Sequence, residues 1–459
     1  MTLITSISGI RGTIGGKPGD GLTPADAVSF VSAYAAWIRE IVESERPVVV
    51  LGRDARISGP MLESIVKGTL CGMGMDVISL GLATTPTVEI AVTELKADGG
   101  IILTASHNPG QWNALKLLNN RGEFLSAADG ERLLEIIEEG DTAFAGADAL
   151  GSVRTGEKMD QVHIGQVLDL TLVQTEKIRS AGLTVAIDCV NSVGGKIIPD
   201  LLRALGVAEV IELYCEPTGL FPHNPEPLPA NLKEIARLVK EKKADVGFVV
   251  DPDVDRLAIV CEDGSMFGEE YTLVAVADYV LKHTPGNTCS NLSSSRALKM
   301  ISEMHGQQYF AAAVGEVNVV EKMKKEQCVI GGEGNGGVIY PEIHYGRDAL
   351  VGIALFLSYL AERGIACSAL RKEYPRLEMI KEKIELSPDT NVDELLEKLT
   401  EVYKEEKITT IDGLKIDFED GWVHLRKSNT EPIIRVYAEG RSKSEAEALV
   451  ADIMKKVNQ

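Results

Sequence analysis

Short runs of aliphatic and β-branched residues alternate with amphipathic stretches along most of the sequence. Four of these runs are typical of buried strands: residues 47–51, 100–103, 183–187 and 246–250. Strands that are apolar on both faces belong to parallel sheets, because crossover helices cover each face. The segment Thr23-Pro24-Ala25-Asp26 predicts a helix start, with a hydroxyl N-cap, Pro at the first helical position and an acid in the first turn. The pattern therefore indicates α/β units.

Interruptions of this pattern predict the domain organisation. At roughly 150 residues per domain, the 459 residues suggest about three domains. Acidic and polar loops break the pattern near 140–155 and near 250, and the chain becomes more charged after about 370. There it is typical of a strand, a helix, several strands and a last helix. We predict three α/β domains at residues 1–150, 151–250 and 251–370 and a smaller α+β domain at 371–459.

The charge balance restricts the ligands. The chain carries 47 basic and 68 acidic residues, a net charge of −21. Such a surface repels nucleic acid and anionic lipid, so we expect neither as a partner and expect a local basic pocket for any anionic ligand. The apolar run 349–361 is too short to span a bilayer, and the N-terminus lacks the features of a secretory signal. Seven scattered cysteines favour reduced thiols in a cytoplasmic protein.

The first of four candidate functional loops follows the strand that ends at Leu103. Residues 104–110 read Thr-Ala-Ser-His-Asn-Pro-Gly, a rigid turn that could present Ser106 at the carboxyl end of a strand, where open α/β sheets bind ligands. The adjacent serine and histidine are not a hydrolase triad, because neighbours rarely meet correctly and Gly-x-Ser-x-Gly is absent. Taken alone, the loop slightly favours a structural role, in which its Ser and Asn only bond the local backbone.

The second loop places three carboxylates at alternate positions directly after a buried strand. These are Asp251, Asp253 and Asp255, followed by Arg256. Unpaired, the three charges would repel one another, and hard oxygen ligands suit Mg²⁺ or Ca²⁺. The spacing also fits several EF-hand positions, but Arg256 stands where that loop needs Gly, and strands flank the segment. We predict a metal site of another kind.

The third loop is rich in glycine. Residues 331–337 contain a literal Gly-x-Gly-x-x-Gly, but a strand-like segment follows it rather than a helix, which argues against a dinucleotide site. A loop that presents Glu333 and Asn335 suits the recognition of hydroxyl groups, as in sugars. A plain turn is nearly as consistent with the loop alone.

The fourth loop concentrates positive charge in an acidic chain. Residues 426–432 read Arg-Lys-Ser-Asn-Thr-Glu-Pro, and Arg435 follows. Arginine forks and hydroxyl groups match phosphate oxygens, so we favour a phosphate site over an exposed turn. Together the four loops supply a serine, a divalent metal site, a polyol-binding loop and a phosphate site. This combination indicates phosphoryl transfer on a sugar.

These loops resemble those of the α-D-phosphohexomutase family, and the resemblance covers essentially the whole chain. The loops match, in order, the family's phosphoserine, metal, sugar-binding and phosphate-binding loops; residues 8–12 and 113–116 also match. Within the family, the chain looks most like the bacterial phosphoglucosamine mutases. The resemblance implies mixed sheets in the three α/β domains, four domains around a central cleft, and a hinge near residue 370.

The resemblance also implies a reaction cycle. Phosphorylated Ser106 donates its phosphate to a hexose 6-phosphate or 1-phosphate, and the bisphosphate turns over before it returns its other phosphate. Mg²⁺ is then held by Asp251, Asp253, Asp255 and Ser106, with a sugar 1,6-bisphosphate as activator. The implied catalytic groups are Ser106, Lys116, Arg11, His107 and Arg256, of which lysine carries protons better than arginine. The sugar site comprises Glu333, Asn335 and Gly332, and the phosphate site comprises Arg426, Ser428, Asn429, Thr430 and Arg435. The partner is a sugar phosphate, and we expect a monomer or homodimer.

Departures from the family pattern leave the sugar open. Pro252 stands where Gly is common, and Asn335 and Gly337 stand where many bacterial members have Ser and His; His344 lies nearby in sequence. This variant is similar to that of broad-specificity hexose phosphate mutases. We expect glucosamine 6-phosphate and 1-phosphate as substrates, with phosphomannomutase/phosphoglucomutase activity as the alternative.

Two further functions are compatible with the residues. One is a metal-dependent phosphatase that uses Ser106, and the other is a non-catalytic sugar-phosphate sensor. A second phosphate site about 320 residues downstream of Ser106 favours a mutase over the phosphatase. The intact serine, aspartates and Lys116 argue against the sensor.

Overall fold

The structure is a computed structural model that describes residues 2–6, 9–140, 142–385, 391–427 and 433–457. Its strands form four sheets, arranged along the chain as four successive units. The predicted fold class, three α/β domains with mixed sheets and a smaller α+β domain, is confirmed.

The first sheet is mixed and has the order β1-β2-β6-β5-β3-β4-β7. Its strands are β1 (Ile4–Ser6), β2 (Gly9–Thr13), β3 (Val48–Arg53), β4 (Asp76–Leu82), β5 (Gly99–Leu103), β6 (Trp112–Leu118) and β7 (Val153–Thr155). β3 pairs in parallel with β4 and β5, whereas β6 and β2 continue the sheet antiparallel. The helices are α1 (Pro24–Ile41), α2 (Gly59–Gly72), α3 (Thr85–Glu94) and α4 (Ala127–Glu139). Thr23 caps α1 with a capping box to Asp26, as its sequence predicts.

The second sheet has the order β11-β10-β8-β9. This part of the chain contains α5 (Met159–Asp169), α6 (Thr175–Ala181), β8 (Thr184–Asp188), α7 (Gly194–Leu205), β9 (Glu209–Leu213), α8 (Lys233–Lys242), β10 (Val246–Val250) and β11 (Leu257–Cys261). β10 pairs in parallel with β8, and the chain then turns back so that β11 pairs antiparallel with β10.

The third sheet has the order β13-β12-β14-β15. The elements are α9 (Glu269–His283), β12 (Asn287–Asn291), α10 (Ala297–Met304), β13 (Tyr309–Ala312), α11 (Glu316–Lys325), β14 (Cys328–Glu333), β15 (Gly337–Ile339), α12 (Ala349–Arg363) and α13 (Cys367–Arg371). Every residue of α12 from Ala349 to Leu360 is buried. One continuous apolar core joins α12 to β8, β10 and α7, so the second and third domains share their core.

The C-terminal sheet is antiparallel, with the order β16-β20-β19-β18-β17. It is built from β16 (Glu378–Glu385), α14 (Val392–Val402), β17 (Lys407–Thr409), β18 (Leu414–Asp417), β19 (Gly421–Lys427), β20 (Ile433–Gly440) and α15 (Lys443–Val457). Its apolar core is a cluster of its own.

The sheets shift the predicted domain boundaries. The boundary at 250/251 falls between β10 and β11, which are hydrogen-bonded neighbours because the turn between them reverses the chain. The boundary at 150/151 precedes β7, which pairs with β4 of the first sheet, and the boundary at 370/371 falls inside α13. We therefore propose boundaries after β7, after β11 and after α13.

Two other sequence expectations concern the membrane and the cysteines. Within the described ranges, no helix has the length and apolar character needed to cross a membrane. The seven cysteines are free thiols.

Candidate active site

A central cavity of about 710 Å³ gathers side chains from all four domains. The predicted site residues that line it are Arg11, His107, Lys116, Arg256, Glu333, Asn335, Arg426 and Arg435. They come from positions as far apart in sequence as β2 and β20. Three predicted phosphate-site residues, Ser428, Asn429 and Thr430, lie outside the described residues, as does Ser8.

Ser106 lies in the turn that follows β5 and is directed at the acidic loop. Its Oγ donates a hydrogen bond to Asp251 Oδ2 at 2.6 Å, across 145 positions of sequence. Its backbone adopts φ of +48°, a left-handed conformation that is uncommon outside glycine. Its backbone N–H donates to Thr104 Oγ1 at 2.9 Å. The loop thus presents the Ser106 hydroxyl in one defined direction.

Arg56, which none of the sequence motifs contains, supports this loop through hydrogen bonds to its main chain. Its fully buried guanidinium forms an ion pair with Asp54 at 2.9 Å. It also donates to four backbone carbonyls of the loop and its exit, those of Ser106, Asn108, Pro109 and Trp112, at 2.5–3.1 Å. One feature of the sequence could have indicated Arg56: the Asp-Ala-Arg segment directly follows β3, which pairs with β5, the strand before the Ser106 loop.

The three aspartates of the loop between β10 and β11 converge. Asp251, Asp253 and Asp255 are fully buried, and one carboxylate oxygen from each lies within 4.8 Å of the others. Asp251 Oδ1 accepts the backbone N–H groups of Asp255 and Arg256 at 3.2 and 3.1 Å. Val254 reaches φ of +65° at the centre of this tight loop. The predicted convergence of the three carboxylates is therefore present.

These carboxylates fit a divalent cation. The Oδ1 atoms of Asp253 and Asp255 are buried and have no hydrogen-bond partner among the described residues. Their Oδ2 atoms accept from Lys116 Nζ at 2.7 and 3.3 Å. Burial, followed by the charges of Asp255 and Asp253, raises the pKa of Asp251 well above its usual range. Buried carboxylate oxygens without a hydrogen-bond partner are costly, and a bound cation would remove this cost. Oxygen ligands of this kind suit Mg²⁺.

Positive charge surrounds the aspartates on the cavity side. Burial opposes the ammonium form of Lys116, but the charges of Asp253 and Asp255 outweigh it and raise its pKa. Burial, together with the charge of Arg256, lowers the pKa of His107 to about 2, so its ring is neutral near pH 7. His107 Nδ1 lies 3.4 Å from Ser106 Oγ. The imidazole and the ammonium group thus line the cavity, and the serine hydroxyl lies next to the imidazole.

The glycine-rich loop includes the turn between β14 and β15, and Glu333 is the last residue of β14. Two side chains from other segments fix the Glu333 carboxylate. Glu333 accepts from Asn291 Nδ2 at 2.8 Å and pairs with Arg347 Nη1 at 2.7 Å. Burial opposes the charged form, but Arg347 lowers the pKa of Glu333. Gly332, at φ of +151°, lies in β14, where a Cβ would be 2.0 Å from the carbonyl oxygen of Gly337. Its contribution is conformational.

His344 lies in a buried polar cluster outside the residues that line the cavity. Its Nε2 is 3.2 Å from Asp348 Oδ2, and its Nδ1 is 3.2 Å from Glu89 Oε2. Burial opposes its charged form, but these two carboxylates raise the pKa of His344 to about 10. The histidine therefore supports the loop before α12.

The described part of the predicted phosphate loop faces the cavity from β19 and β20. Arg426 and Arg435 are register partners on these strands. Arg426 Nε lies 2.7 Å from Asp412 Oδ2. Burial, followed by the charge of Arg435, lowers the pKa of Arg11, which belongs to the first sheet. Two like charges that approach across the cavity provide a place for an anion between the first and the C-terminal domain.

Comparisons with known proteins agree with this architecture. Four models of phosphoglucomutase/phosphomannomutase match in order: alpha/beta/alpha domain I at residues 3–144, domain II at 162–264, domain III at 268–377 and the C-terminal domain at 383–456.

Whole-chain relatives give the same result. A Methanopyrus kandleri protein named "Probable phosphoglucosamine mutase" is 34% identical over 96% of this chain and 95% of its own length. A Thermococcus kodakarensis "Phosphoglucomutase/phosphomannomutase" is 35% identical over 95% of each. The crystal structure of a phosphoglucomutase/phosphomannomutase family protein from Burkholderia thailandensis superposes with a TM-score of 0.85 at 26% identity, over 99% of this chain and 98% of the other. The chain therefore belongs to the phosphoglucomutase/phosphomannomutase family, and it is a phosphohexomutase enzyme.

Proposed function

We propose that this enzyme is a phosphoglucosamine mutase, which interconverts glucosamine 6-phosphate and glucosamine 1-phosphate through a phosphoserine and a bisphosphate. One observation carries the proposal: the Ser106 hydroxyl, 2.6 Å from Asp251 and 3.4 Å from His107 Nδ1, lies beside a cavity-lining imidazole, and Arg426 and Arg435 line the same cavity. A carrier next to this cavity and a separate phosphate site within it suit a substrate that is phosphorylated at two ends.

Each predicted residue has a role in this scheme. Asp251, Asp253 and Asp255 hold Mg²⁺, which when bound offsets negative charge on the transferring phosphoryl group. Ser106 carries the phosphate, and Lys116, Arg11, His107 and Arg256 surround it. Of these, Lys116 holds a proton closest to the aspartates and is the proposed donor to a leaving oxygen.

The sugar and its second phosphate occupy the remaining cavity. Glu333 and Asn335 present a carboxylate and an amide to ring hydroxyls, and Gly332 gives their loop its shape. Arg426 and Arg435, together with the predicted Ser428, Asn429 and Thr430, hold the phosphate that is not reacting. The proposal includes a sugar 1,6-bisphosphate as activator, a cytoplasmic location and a monomeric or homodimeric state.

Phosphomannomutase/phosphoglucomutase activity is the second candidate. It is favoured by the name of the Thermococcus relative, which is as similar to this chain as the phosphoglucosamine mutase. Hydroxyl-binding groups such as Glu333 and Asn335 do not by themselves select an amino sugar.

A rate comparison tests the proposal. We would measure kcat/KM for glucosamine, mannose and glucose 1-phosphates with Mg²⁺ and the matching 1,6-bisphosphate, and record free phosphate in the same reactions. The expected result is the highest kcat/KM for the glucosamine substrate and isomerisation far faster than phosphate release. A mannose or glucose value at least tenfold higher would establish the second candidate. Phosphate release as fast as isomerisation would instead establish a phosphatase.

A further inference from the structure

Arg347 is a buried arginine at the centre of the site that none of the four loops contains. It lies between β15 and α12, and its side chain is 9% exposed. Its Nη2 lies 2.6 Å from Asp255 Oδ2, and its Nη1 lies 2.7 Å from Glu333 Oε2. One planar guanidinium therefore joins a carboxylate of the metal loop to a carboxylate of the sugar-binding loop.

A third carboxylate fixes the position of this arginine. Glu316, the first residue of α11, accepts the backbone N–H of Arg347 at 2.8 Å through Oε1. Its Oε2 lies 3.2 Å from Arg347 Nε. Glu316 of α11 therefore contacts both the main chain and the side chain of Arg347.

The glycine-rich loop leaves room for the arginine. A Cβ at Gly337 would lie 2.3 Å from Arg347 Cδ, closer than atoms in contact can approach. Any other residue at position 337 would displace the Arg347 side chain. Gly337 and Arg347 are therefore matched to each other, which a sequence separation of ten residues does not reveal.

The hydrogen bonds of Glu333 show that Arg347 can determine the orientation of its carboxylate. Asn291 holds Oε1 of Glu333, and Arg347 holds Oε2. The rigid, planar guanidinium contacts Glu333 and Asp255 through two different nitrogens and so fixes their separation, whereas a lysine acts as a point charge. Without Arg347, Glu333 keeps Asn291 on Oε1 at 2.8 Å and the longer Asn335 contact of 3.4 Å on Oε2, so its carboxylate is held less firmly.

We propose that Arg347 is a positioning residue that fixes sugar-binding Glu333 relative to metal-binding Asp255, and so aligns the sugar hydroxyl with the phosphoryl group. This rests on the proposed function above. Because misplacement of reacting groups by about 1 Å can cost roughly a hundredfold in rate, the arginine acts mainly on kcat. The sugar phosphate is still bound through Arg426 and Arg435, so KM changes less.

The test is a double-mutant cycle with Arg347→Met and Glu333→Gln. Arg347→Met should lower kcat by about 10- to 100-fold and change KM less than about threefold. If Arg347 acts through Glu333, the double variant should be no slower than the slower single variant. Independent effects that multiply, or a kcat within twofold of wild type for Arg347→Met, would overturn the proposal.

Metal binding separates positioning from a general loss of structure. Titration calorimetry of Arg347→Met with Mg²⁺ alone should show affinity equal to or tighter than that of wild type, because a competing positive charge beside Asp255 is removed. Weaker Mg²⁺ binding would overturn the proposal, since it would mean that the aspartate loop itself had collapsed.

Two further variants complete the design. Arg363, the last residue of α12, pairs with Glu373 and does not line the cavity. Arg363→Met should therefore leave kcat unchanged. If Arg347→Met fails to fold, Arg347→Lys takes its place, and a wild-type kcat for that variant would overturn the proposal. A wild type that isomerises no hexose phosphate would contradict the proposed function instead, so the two failures are distinguishable.

Discussion

At the scale of single residues, the Ser106 loop and the aspartate loop depend on each other. Ser106 donates to Asp251, and Asp251 in turn accepts two backbone N–H groups of its own loop. Arg56 donates a hydrogen bond to the main-chain carbonyl of Ser106 and so fixes the backbone of the loop. Because Arg56 binds the main-chain carbonyl of Ser106, a change of the Ser106 side chain leaves this support of the loop in place.

Replacing Ser106 with Ala should remove the phosphate carrier while the fold persists. The intact mass of the wild-type protein should show a partly occupied phosphate that Ser106→Ala lacks, and mutase turnover of the variant should be lost. Ser64→Ala, an exposed serine of α2, is the matched control and should keep both the phosphate and the activity. Normal mutase rates for Ser106→Ala would contradict the mechanism.

Asp253→Asn should weaken Mg²⁺ binding and turnover together, because it removes one charged oxygen ligand from a buried cluster. Calorimetric Mg²⁺ titration and steady-state rates measure the two effects. Asp263→Asn, in the exposed turn after β11, is the control and should change neither. Activity that survives excess chelator would mean that the three aspartates serve only the structure.

At the scale of elements, strand ends were predictable and cross-domain contacts were not. Ser106 and Asp251 come shortly after β5 and β10, so the apolar runs before them were enough to locate their loops at sheet edges. Arg347 could not be found in this way, and the position of Arg56 after β3 did not indicate what its side chain binds. Their partners are backbone carbonyls about 50 residues away and carboxylates on three other segments, and only the packed sheets bring these together.

Lys415 on β18 shows a contact of this kind that has a pH signature. Its Nζ donates to the Leu292 carbonyl of the third domain at 2.7 Å and lies 4.1 Å from the centroid of the Trp422 ring. Burial lowers its pKa from 10.5 to about 8, although Asp417 and Glu439 oppose the shift. Below pH 8 the ammonium is charged in both states and its burial costs stability. Between pH 8 and 10.5 the unfolded state binds more protons, so this contribution becomes more favourable as pH rises.

Lys415→Met removes this dependence. The apparent Tm of the variant, relative to that of wild type, should therefore fall as the pH is raised from 7 to 10. Thermal unfolding at several pH values measures the difference. Lys407→Met, at an exposed position of strand β17, should show no such trend. A wild-type–variant difference that is constant across this range would show that Lys415 does not titrate in the interface.

At the scale of the whole molecule, the C-terminal domain does not share the apolar core of the domains before it. The second and third domains share one apolar core around α12, whereas the C-terminal domain has its own core. Polar contacts join it to the third domain, such as those of Arg296 with the carbonyls of Phe418 and Gly421. Polar interfaces of this kind permit relative domain motion, and the hinge near residue 370 stays a prediction.

Arg426→Ala tests whether this domain holds the phosphate that is not reacting. The loss of one charge-assisted contact costs about 1.5–3 kcal/mol, which corresponds to roughly 10- to 100-fold or more in kcat/KM. Ser106 should still carry phosphate, and more bisphosphate should escape, because its second end is held less firmly. Rates and released bisphosphate are measured in one preparation. An unchanged kcat/KM would leave the loop as a surface turn.

The left-handed backbone of Ser106 limits how this enzyme could evolve. Threonine has the same phosphate-accepting hydroxyl, but a β-branched side chain is strongly disfavoured at φ of +48°. Arg56 prevents the loop from relaxing to a conformation that threonine prefers. Exchange of serine for threonine at the proposed carrier position would therefore require a different turn first, so the shape of the main chain, as well as the chemistry of the hydroxyl group, favours serine at position 106.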